Sequence, residues 1–311
     1  MSDDTLAEDE LFTLLGSRPR MQVLRTLWED LDVPAYMTGT QVPMSFSTLQ
    51  SEASVSDSGN FNYHLGVLTD RFVERTDGGY VLSPLGFSVM QAIDAHTAFS
   101  DRTIEPTALE ASCPFCSGSL LASYDREILR VACSDCEALG GGDLFRVRCP
   151  ATGSATLELP ALLDVGVLRL LTQVSAARYG FCPACYGATE LSLTRCPAHD
   201  PPGCDCGRRS PIGCDVECTA CGAGGSGPLA EQAFADPRTI AFFDGHSLGP
   251  QSAGLFEYRL AFLSRLDDRV VSTEPLTVAF EVVIAGDRRR LLAADAEAGV
   301  SLTEHDEPPP G

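Results

Sequence analysis

The chemistry of this sequence is concentrated in its thirteen cysteines. The first four form the pattern C-x2-C, sixteen residues, C-x2-C, and are Cys113, Cys116, Cys133 and Cys136. This is the spacing of a zinc ribbon, in which each C-x2-C occupies a tight turn and a hairpin brings the two turns together. Four thiolates close the coordination shell of a tetrahedral Zn2+ ion, so the pattern predicts a structural ion rather than a catalytic one.

A second set repeats the pattern with thirty-two residues between its two pairs. Its members are Cys182, Cys185, Cys218 and Cys221. The insert contains four more ligand-type residues within eleven positions, namely Cys196, His199, Cys204 and Cys206. These four could complete a third site with three sulfurs and one nitrogen, or some of them could be unbound or exchange with the second site. We therefore expect two structural Zn2+ ions and keep a third as an alternative.

Two further cysteines fall outside these patterns. Cys149 lies on a predicted strand, where we expect it to be a small buried apolar residue. Cys214 could replace a ligand at either site, and the sequence does not decide between them. Because thiolate-rich sites also respond to metals and oxidants, a thiol-based metal or redox sensor is an alternative to structural zinc.

The elements expected before the cysteines have the order of a winged helix-turn-helix domain. Apolar residues at helical spacing and a Gly-rich tight turn define these elements. The expected elements are a helical stretch over residues 9–28 interrupted at Pro19, helices over 45–53 and 56–71, a hairpin around Asp77-Gly78-Gly79, and a helix over 83–103.

The third helix of this domain is the expected DNA-reading element. One apolar stripe that faces a core is formed by Phe61, Leu65, Leu68 and Phe72. The opposite face carries small and hydrogen-bonding side chains that allow close approach to a DNA groove. The expected DNA-contacting residues are Ser56, Ser58, Gly59, Asn60, Asn62, Tyr63 and Arg75. The alternative is a polar helix face in contact with solvent, and we expect His64 to pack between helices.

The fold class expected for the whole chain is α+β. We expect the N-terminal winged helix-turn-helix to be followed by zinc-ribbon modules and a small C-terminal α+β segment. Glu105-Pro106 is the expected linker, and "RTIAFF" is among the expected C-terminal strands. The expected boundaries are a disordered acidic lead over 1–8, the DNA-binding domain over 9–104, the first zinc ribbon over 105–155, a connecting helix over 156–180, the second zinc-binding module over 181–228, the C-terminal segment over 229–303 and a disordered tail over 304–311.

The charge balance is strongly acidic, with 43 acidic residues, 22 arginines, no lysine and a formal net charge of −21. Such a surface suits a protein that works in molar salt, where the Debye length is only ~3 Å and self-repulsion is screened. Residues 1–10 are acidic, unlike a signal peptide, and no run of 18 uninterrupted apolar residues is present. We expect a halophilic, cytoplasmic protein without a membrane span.

The stretch "LFTLLGSRPRMQVLRTLW" resembles the first helices of ArsR-type winged-helix regulators, which often read L-x-x-L-G-x-x-x-R-x-x-I-L-x-x-L. "NYHLGVL" is similar to the S-R-H-L-x-x-L motif of their recognition helix, with Asn62 and Tyr63 where the family has its DNA-contacting Ser and Arg. Residues 9–103 are similar to the haloarchaeal version, in which a Cys-rich region follows, and the Cys-rich half of this chain resembles that architecture more loosely. The metal-sensing Cys-x-Cys of the family is missing, since residues 40–75 contain no cysteine. The resemblance implies a homodimer through Leu11–Leu15 and Phe87–Phe99.

These patterns predict a sequence-specific regulator of transcription that binds double-stranded DNA as a dimer. Its C-terminal domain would bind an unidentified small molecule or protein as effector. The alternative is a zinc-ribbon interaction module associated with the transcription machinery. No nucleophile elbow, phosphate-binding loop, H-E-x-x-H or zinc-deaminase signature is present, so we do not expect an enzyme.

Overall fold

The computed structural model describes residues 8–55, 57–97, 102–136, 143–199, 204, 210–296 and 299–304. The chain divides into two compact units, residues 1–99 and residues 100–311. Both units mix helices with antiparallel strands, which agrees with the expected α+β class.

The N-terminal unit consists of helices and one β-hairpin. Its elements are α1 (Glu8–Leu15), α2 (Arg18–Glu29), α3 (Val33–Met37), α4 (Phe46–Glu52), α5 (Ser58–Leu68), β1 (Val73–Thr76), β2 (Gly79–Leu82) and α6 (Pro84–Thr97). Three members of the predicted apolar stripe, Phe61, Leu65 and Leu68, are buried on α5 in one cluster with residues of α2 and α4. Phe72 is buried in the same cluster, but it follows the helix, which ends at Leu68. The short helix α3 has no counterpart in the expectation.

Local capping explains where these helices begin. The helix is interrupted between α1 and α2, and Pro19 lies in the first turn of α2. Proline is tolerated there because the N–H groups of the first turn have no hydrogen-bond partner within the helix. Ser45 caps α4 by accepting a hydrogen bond from the amide of Thr48 (3.2 Å). Asp57 caps α5 in the same way through the amide of Asn60 (2.6 Å).

The hairpin β1–β2 turns at Asp77-Gly78, and Gly79 is required where the chain approaches Met44. Its φ is +142°, and a Cβ there would lie 2.2 Å from the carbonyl oxygen of Met44. Only glycine allows both this conformation and this approach.

The C-terminal unit begins with a four-stranded antiparallel sheet in the order β3-β4-β5-β6. Its strands are β3 (Ile104–Ser112), β4 (Ser119–Asp125), β5 (Ile128–Cys133) and β6 (Asp143–Arg148). The expected linker at Glu105-Pro106 is wrong, because both residues belong to β3, and the expected boundary at 104/105 falls inside this strand. β3 is an edge strand with a register shift between Ile104 and Thr107, the place where a strand tolerates a proline.

Two helices follow this sheet, α7 (Ala151–Ser154) and the long α8 (Leu159–Arg178). By length and composition alone α8 is apolar enough to cross a membrane. One side of it packs in the core of the unit, with Leu162, Leu163 and Val167 buried. At Gly166 the helix lies so near the first sheet that a Cβ would be 2.6 Å from the Leu129 side chain.

The rest of the unit contains two more antiparallel sheets with three helices between them. The second sheet has the order β7-β8-β9, with β7 (Thr189–Arg195), β8 (Ile212–Cys218) and β9 (Gly224–Pro228). The helices are α9 (Ala230–Phe234), α10 (Pro237–Gly245) and α11 (Leu255–Arg265). The third sheet has the order β10-β11-β12-β13, with β10 (Leu266–Thr273), β11 (Leu276–Ile284), β12 (Asp287–Ala296) and β13 (Gly299–Glu304).

One expected strand of this region is wrong, since "RTIAFF" lies in α10. Asp236 caps this helix by accepting from the amide of Arg238 (2.8 Å), and Pro237 occupies its first turn. Thr239 and Phe243, four residues apart, are buried on one side of the helix. Start signals of a helix therefore outweighed a β-type composition.

Candidate metal centres

Three of the four C-x2-C pairs, those that begin at Cys113, Cys182 and Cys218, lie on tight turns that share one hydrogen-bond pattern. In the first pair the amide of Cys113 donates to the carbonyl of Gly118 (2.8 Å), and the amide of Ser117 donates back to the carbonyl of Cys113 (3.0 Å). The Cys182 and Cys218 turns repeat both bonds with their equivalent residues. The fifth residue of each turn has a positive φ and is Ser117 (61°), Tyr186 (59°) or Gly222 (67°). This geometry directs both sulfurs of a pair to one side.

The strands of two sheets bring these turns together in pairs. β5 ends at Cys133, beside the turn that precedes β4, and the four sulfurs of Cys113, Cys116, Cys133 and Cys136 lie within 4.8 Å of one another. β8 ends at Cys218 in the same relation to β7, and the sulfurs of Cys182, Cys185, Cys218 and Cys221 meet the same limit. Both predicted four-cysteine groups are therefore assembled.

The sulfur–sulfur distances fit metal coordination and not disulfide bonds. A tetrahedral metal–sulfur length of about 2.3 Å places sulfurs about 3.8 Å apart, whereas a disulfide needs about 2.05 Å. Cys116 and Cys133 sulfurs are 3.4 Å apart, and Cys185 and Cys218 sulfurs are 3.5 Å apart. Either group can hold a metal ion that prefers thiolate ligands.

In the second group, backbone amides lower the pKa of Cys182 and Cys218 and so favour their thiolate state. The amides of Cys221 and Ala220 lower the pKa of Cys218 to about 6. The amide of Gly187 also favours the thiolate of Cys185, but the sulfurs of Cys221 and Cys218 outweigh it and raise the pKa of Cys185 to about 12. Several thiolates in one shell repel one another unless a cation is bound, so the donor set fits a metal ion.

The insert between the second pair of turns brings together part of the predicted third site. Cys196, His199 and Cys204 have their ligand atoms within 4.8 Å of one another, and the two sulfurs are 3.6 Å apart. Cys206, the expected fourth ligand, lies outside the described residues. Three ligands of suitable type are thus close enough to hold an ion.

Cys149 and Cys214 belong to none of these groups. Cys149 follows the end of β6 instead of lying on a strand, and it is 1% exposed. Burial raises the pKa of its thiol, although Arg169 acts in the opposite direction. Cys214 lies on β8 and is 5% exposed, beside the side chain of Gln232.

The described residues that we expect to contact DNA are exposed. Ser58, Gly59, Asn60, Asn62 and Tyr63 are exposed on α5. Arg75 is exposed on β1, and Ser56 lies outside the described residues. His64 is half-buried, and its Nδ1 has no hydrogen-bond partner among the described residues.

Sequence reasoning missed a set of buried charges in the C-terminal unit. Arg259 forms a two-pronged ion pair with Glu231 (2.5 and 2.7 Å), and its guanidinium lies 4.6 Å from the centre of the Phe234 ring. Asp236 is fully buried and pairs with Arg178 (2.7 Å) and Arg238 (2.8 Å). Arg259 and Glu231 come from different helices, as do Arg178 and Asp236, so local spacing could announce only the pair of Asp236 and Arg238.

The family model described as domain of unknown function DUF7351 matches residues 110–300. The chain belongs to this family. The matched region contains all thirteen cysteines. A second model, domain of unknown function DUF7347, matches residues 8–93 and so covers the N-terminal unit from α1 into α6. No curated protein and no solved structure matches the chain.

Proposed function

We propose that this protein is a sequence-specific DNA-binding regulator with an N-terminal winged helix-turn-helix. The observation that carries the proposal is the exposed face of α5, which combines small residues with hydrogen-bonding side chains. Five residues separate α4 from α5, and the hairpin β1–β2 follows α5. A winged helix-turn-helix has the same order of first helix, recognition helix and wing.

The chemistry of this face suits the reading of base edges. The chain contains two asparagines, Asn60 and Asn62, and both are exposed on α5. A carboxamide can form two hydrogen bonds with adenine in the major groove. Tyr63 is 63% exposed, and Gly59 and Gly66 keep the neighbouring surface low enough for a groove to approach.

The acidity of the chain restricts how such binding works. Residues 11–102 contain six arginines and ten acidic residues, so attraction of phosphates is weak. In molar salt, counterion release contributes little to any protein–DNA complex. Specificity then rests on hydrogen bonds and shape, and affinity should change little, or rise, as KCl increases.

Zinc is the metal that we propose for the sulfur groups, because closed tetrahedral four-thiolate shells are typical of structural zinc. In this proposal Cys113, Cys116, Cys133 and Cys136 hold one ion, and Cys182, Cys185, Cys218 and Cys221 hold another. Ions at these positions would fasten the ends of β4, β5, β7 and β8, which are parts of small sheets.

A selection from a random double-stranded DNA library in molar KCl tests the DNA-binding proposal, using the full zinc-loaded chain. We expect enrichment of one sequence and a loss of binding of at least tenfold in a variant with Asn60→Ala and Asn62→Ala. Gln251→Ala, which removes an exposed carboxamide from the C-terminal unit, is the matched control and should bind as the wild type does. The absence of any enriched sequence would refute the proposal.

A protein-interaction module is the second candidate function, and one observation favours it. Three aromatic side chains beside the second sulfur group are largely exposed, namely Tyr179 (70%), Phe181 (53%) and Tyr186 (78%). Exposed aromatics of this kind are enriched at protein interfaces. If DNA selection fails, substitution of these three residues by serine should abolish co-purification of a transcription protein from the native host.

A further inference from the structure

A cavity of about 300 Å³ lies in the C-terminal unit between α8 and the glycine-rich strand β9. On the helix side it is lined by Leu170, Val174 and Ala177. On the strand side, Gly225 lies opposite Val216 and Gly227 lies opposite Cys214 in the register of β8 and β9. Residues opposite each other share one face of a sheet, so both glycines face the cavity.

The two glycines account for the space. A Cβ added at Gly225 or Gly227 would meet no atom within 4 Å, and neither residue has a positive φ. The backbone therefore requires glycine at neither position. Larger side chains at these two positions would fill the cavity, so the cavity is open because both residues are glycine.

Two polar side chains in the cavity have a hydrogen-bonding atom without a partner among the described residues. Gln232 lines the cavity, and its Nε2 donates to the sulfur of Cys214 (3.8 Å), whereas no described donor reaches its carbonyl oxygen. Thr189 of β7 also lines the cavity, and its buried Oγ1 has no partner among the described residues. A ligand in the cavity can supply the missing hydrogen bonds. Glu231 is paired with Arg259, and the cavity wall also includes Cys182 of the second sulfur group.

We propose that this cavity binds a neutral, mainly apolar ring compound with one hydrogen-bond donor, which the Gln232 carbonyl accepts. An apolar cavity of ~150 Å³ accommodates benzene, so twice that volume fits about two fused rings. An anion is disfavoured because the chain is acidic and none of the described residues that line the cavity is a cation. Binding of this compound does not depend on the proposed function. Only its role as an effector of DNA binding rests on the proposed function.

Indole is a suitable probe, because it has two fused rings and one N–H donor, and 1-methylindole lacks that donor. Titration calorimetry on the full zinc-loaded chain in molar KCl should show indole binding, with 1-methylindole about fivefold weaker. A variant with Gly225→Val and Gly227→Val should weaken indole binding at least tenfold while its circular dichroism stays unchanged, since valine suits a strand. Gly245→Val in α10, which also enters open space, is the control and should bind normally.

The variant Gln232→Leu decides the matter if the double valine variant fails to fold. It should bind both compounds equally, because the hydrogen bond that distinguishes them is gone. No indole binding by the wild type, normal binding by a folded double valine variant, or an unchanged preference in Gln232→Leu would each overturn the proposal. DNA selection on the same samples separates the two proposals, since either can fail while the other succeeds.

Discussion

The two units of this protein use different means to hold their elements in place. The N-terminal unit has no cysteine, and its core is an apolar cluster of helices and one hairpin. The described strands of the C-terminal unit form three small sheets, and this unit contains all thirteen cysteines of the sequence and several buried charges. This unit also has an apolar cluster, with Leu129, Val167 and Phe262 among its members, so its sulfur groups and buried charges add to apolar packing instead of replacing it.

Metal removal should give the largest difference between the units. We expect chelation to expose the amides of β4, β5, β7 and β8 to hydrogen exchange, because binding of structural zinc contributes on the order of 10 kcal/mol to folding. The amides of α2 and α5 should keep their protection. Hydrogen exchange with mass spectrometry on the full chain measures both at once.

Single substitutions provide the control for that experiment. Cys133→Ser should reduce the metal content by one equivalent, whereas Cys149→Ala should leave it unchanged. Retained protection of β4 and β5 after complete removal of metal would show that the ions are not structural.

The next largest difference should appear between a buried and a half-exposed ion pair. Arg259→Met leaves Glu231 buried without its partner and should lower the free energy of unfolding of the C-terminal unit by about 3 kcal/mol. In the N-terminal unit, Arg25→Met breaks a pair with Asp94, and the two side chains are 44% and 41% exposed, respectively. This change should lower the free energy of unfolding of the N-terminal unit by less than about 1 kcal/mol. Denaturant unfolding measures both values. A double variant with Glu231→Leu and Arg259→Met should recover most of the loss, and equal effects of Arg259→Met and Arg25→Met would contradict this interpretation.

Acid should destabilise the C-terminal unit through Asp236. Burial alone would raise the pKa of this carboxyl, but hydrogen bonds from Arg238 and the charge of Arg178 outweigh burial and lower it. Because the pKa of Asp236 is lowered in the folded state, this carboxylate stabilises the fold at pH values above its pKa in the unfolded chain, which is about 3.9. This stabilisation is lost as the pH falls through the lowered pKa of the folded state. Between pH ~5 and ~2.5, the free energy of unfolding should therefore fall more steeply in the wild type than in Asp236→Asn. Parallel profiles would refute this role.

The smallest effect should come from helix capping in the N-terminal unit. Asp57→Ala removes the acceptor for the amide of Asn60 and should lower the free energy of unfolding by about 1 kcal/mol. Asp57→Asn keeps a capping oxygen, so it should cost only a few tenths of a kcal/mol. Thermal unfolding of the two variants side by side measures this difference, and identical midpoints would exclude capping as the reason why α5 begins at Ser58.

The sequence predicted the sulfur groups better than it predicted the strands around them. Spacing within C-x2-C pairs is local, and the turn geometry follows from it, so both four-cysteine groups and three members of the third were found. The strand expected over "RTIAFF" failed because β-type composition competes with capping by Asp236 and Pro237. The linker expected at Glu105-Pro106 failed because an edge strand accepts proline, and edge position cannot be read from composition.

By itself, the sequence determined the apolar stripe of α5, the hairpin at Asp77-Gly78 and the metal-ligand chemistry of the cysteine pairs. These features depend on periodicity, turn residues and ligand type over a few neighbouring positions. The tertiary structure decided how Arg259 meets Glu231, how Arg178 meets Asp236, and that the glycines of β9 leave a cavity before α8. Those features join residues tens of positions apart, and only the packing of sheets and helices brings such residues within contact distance.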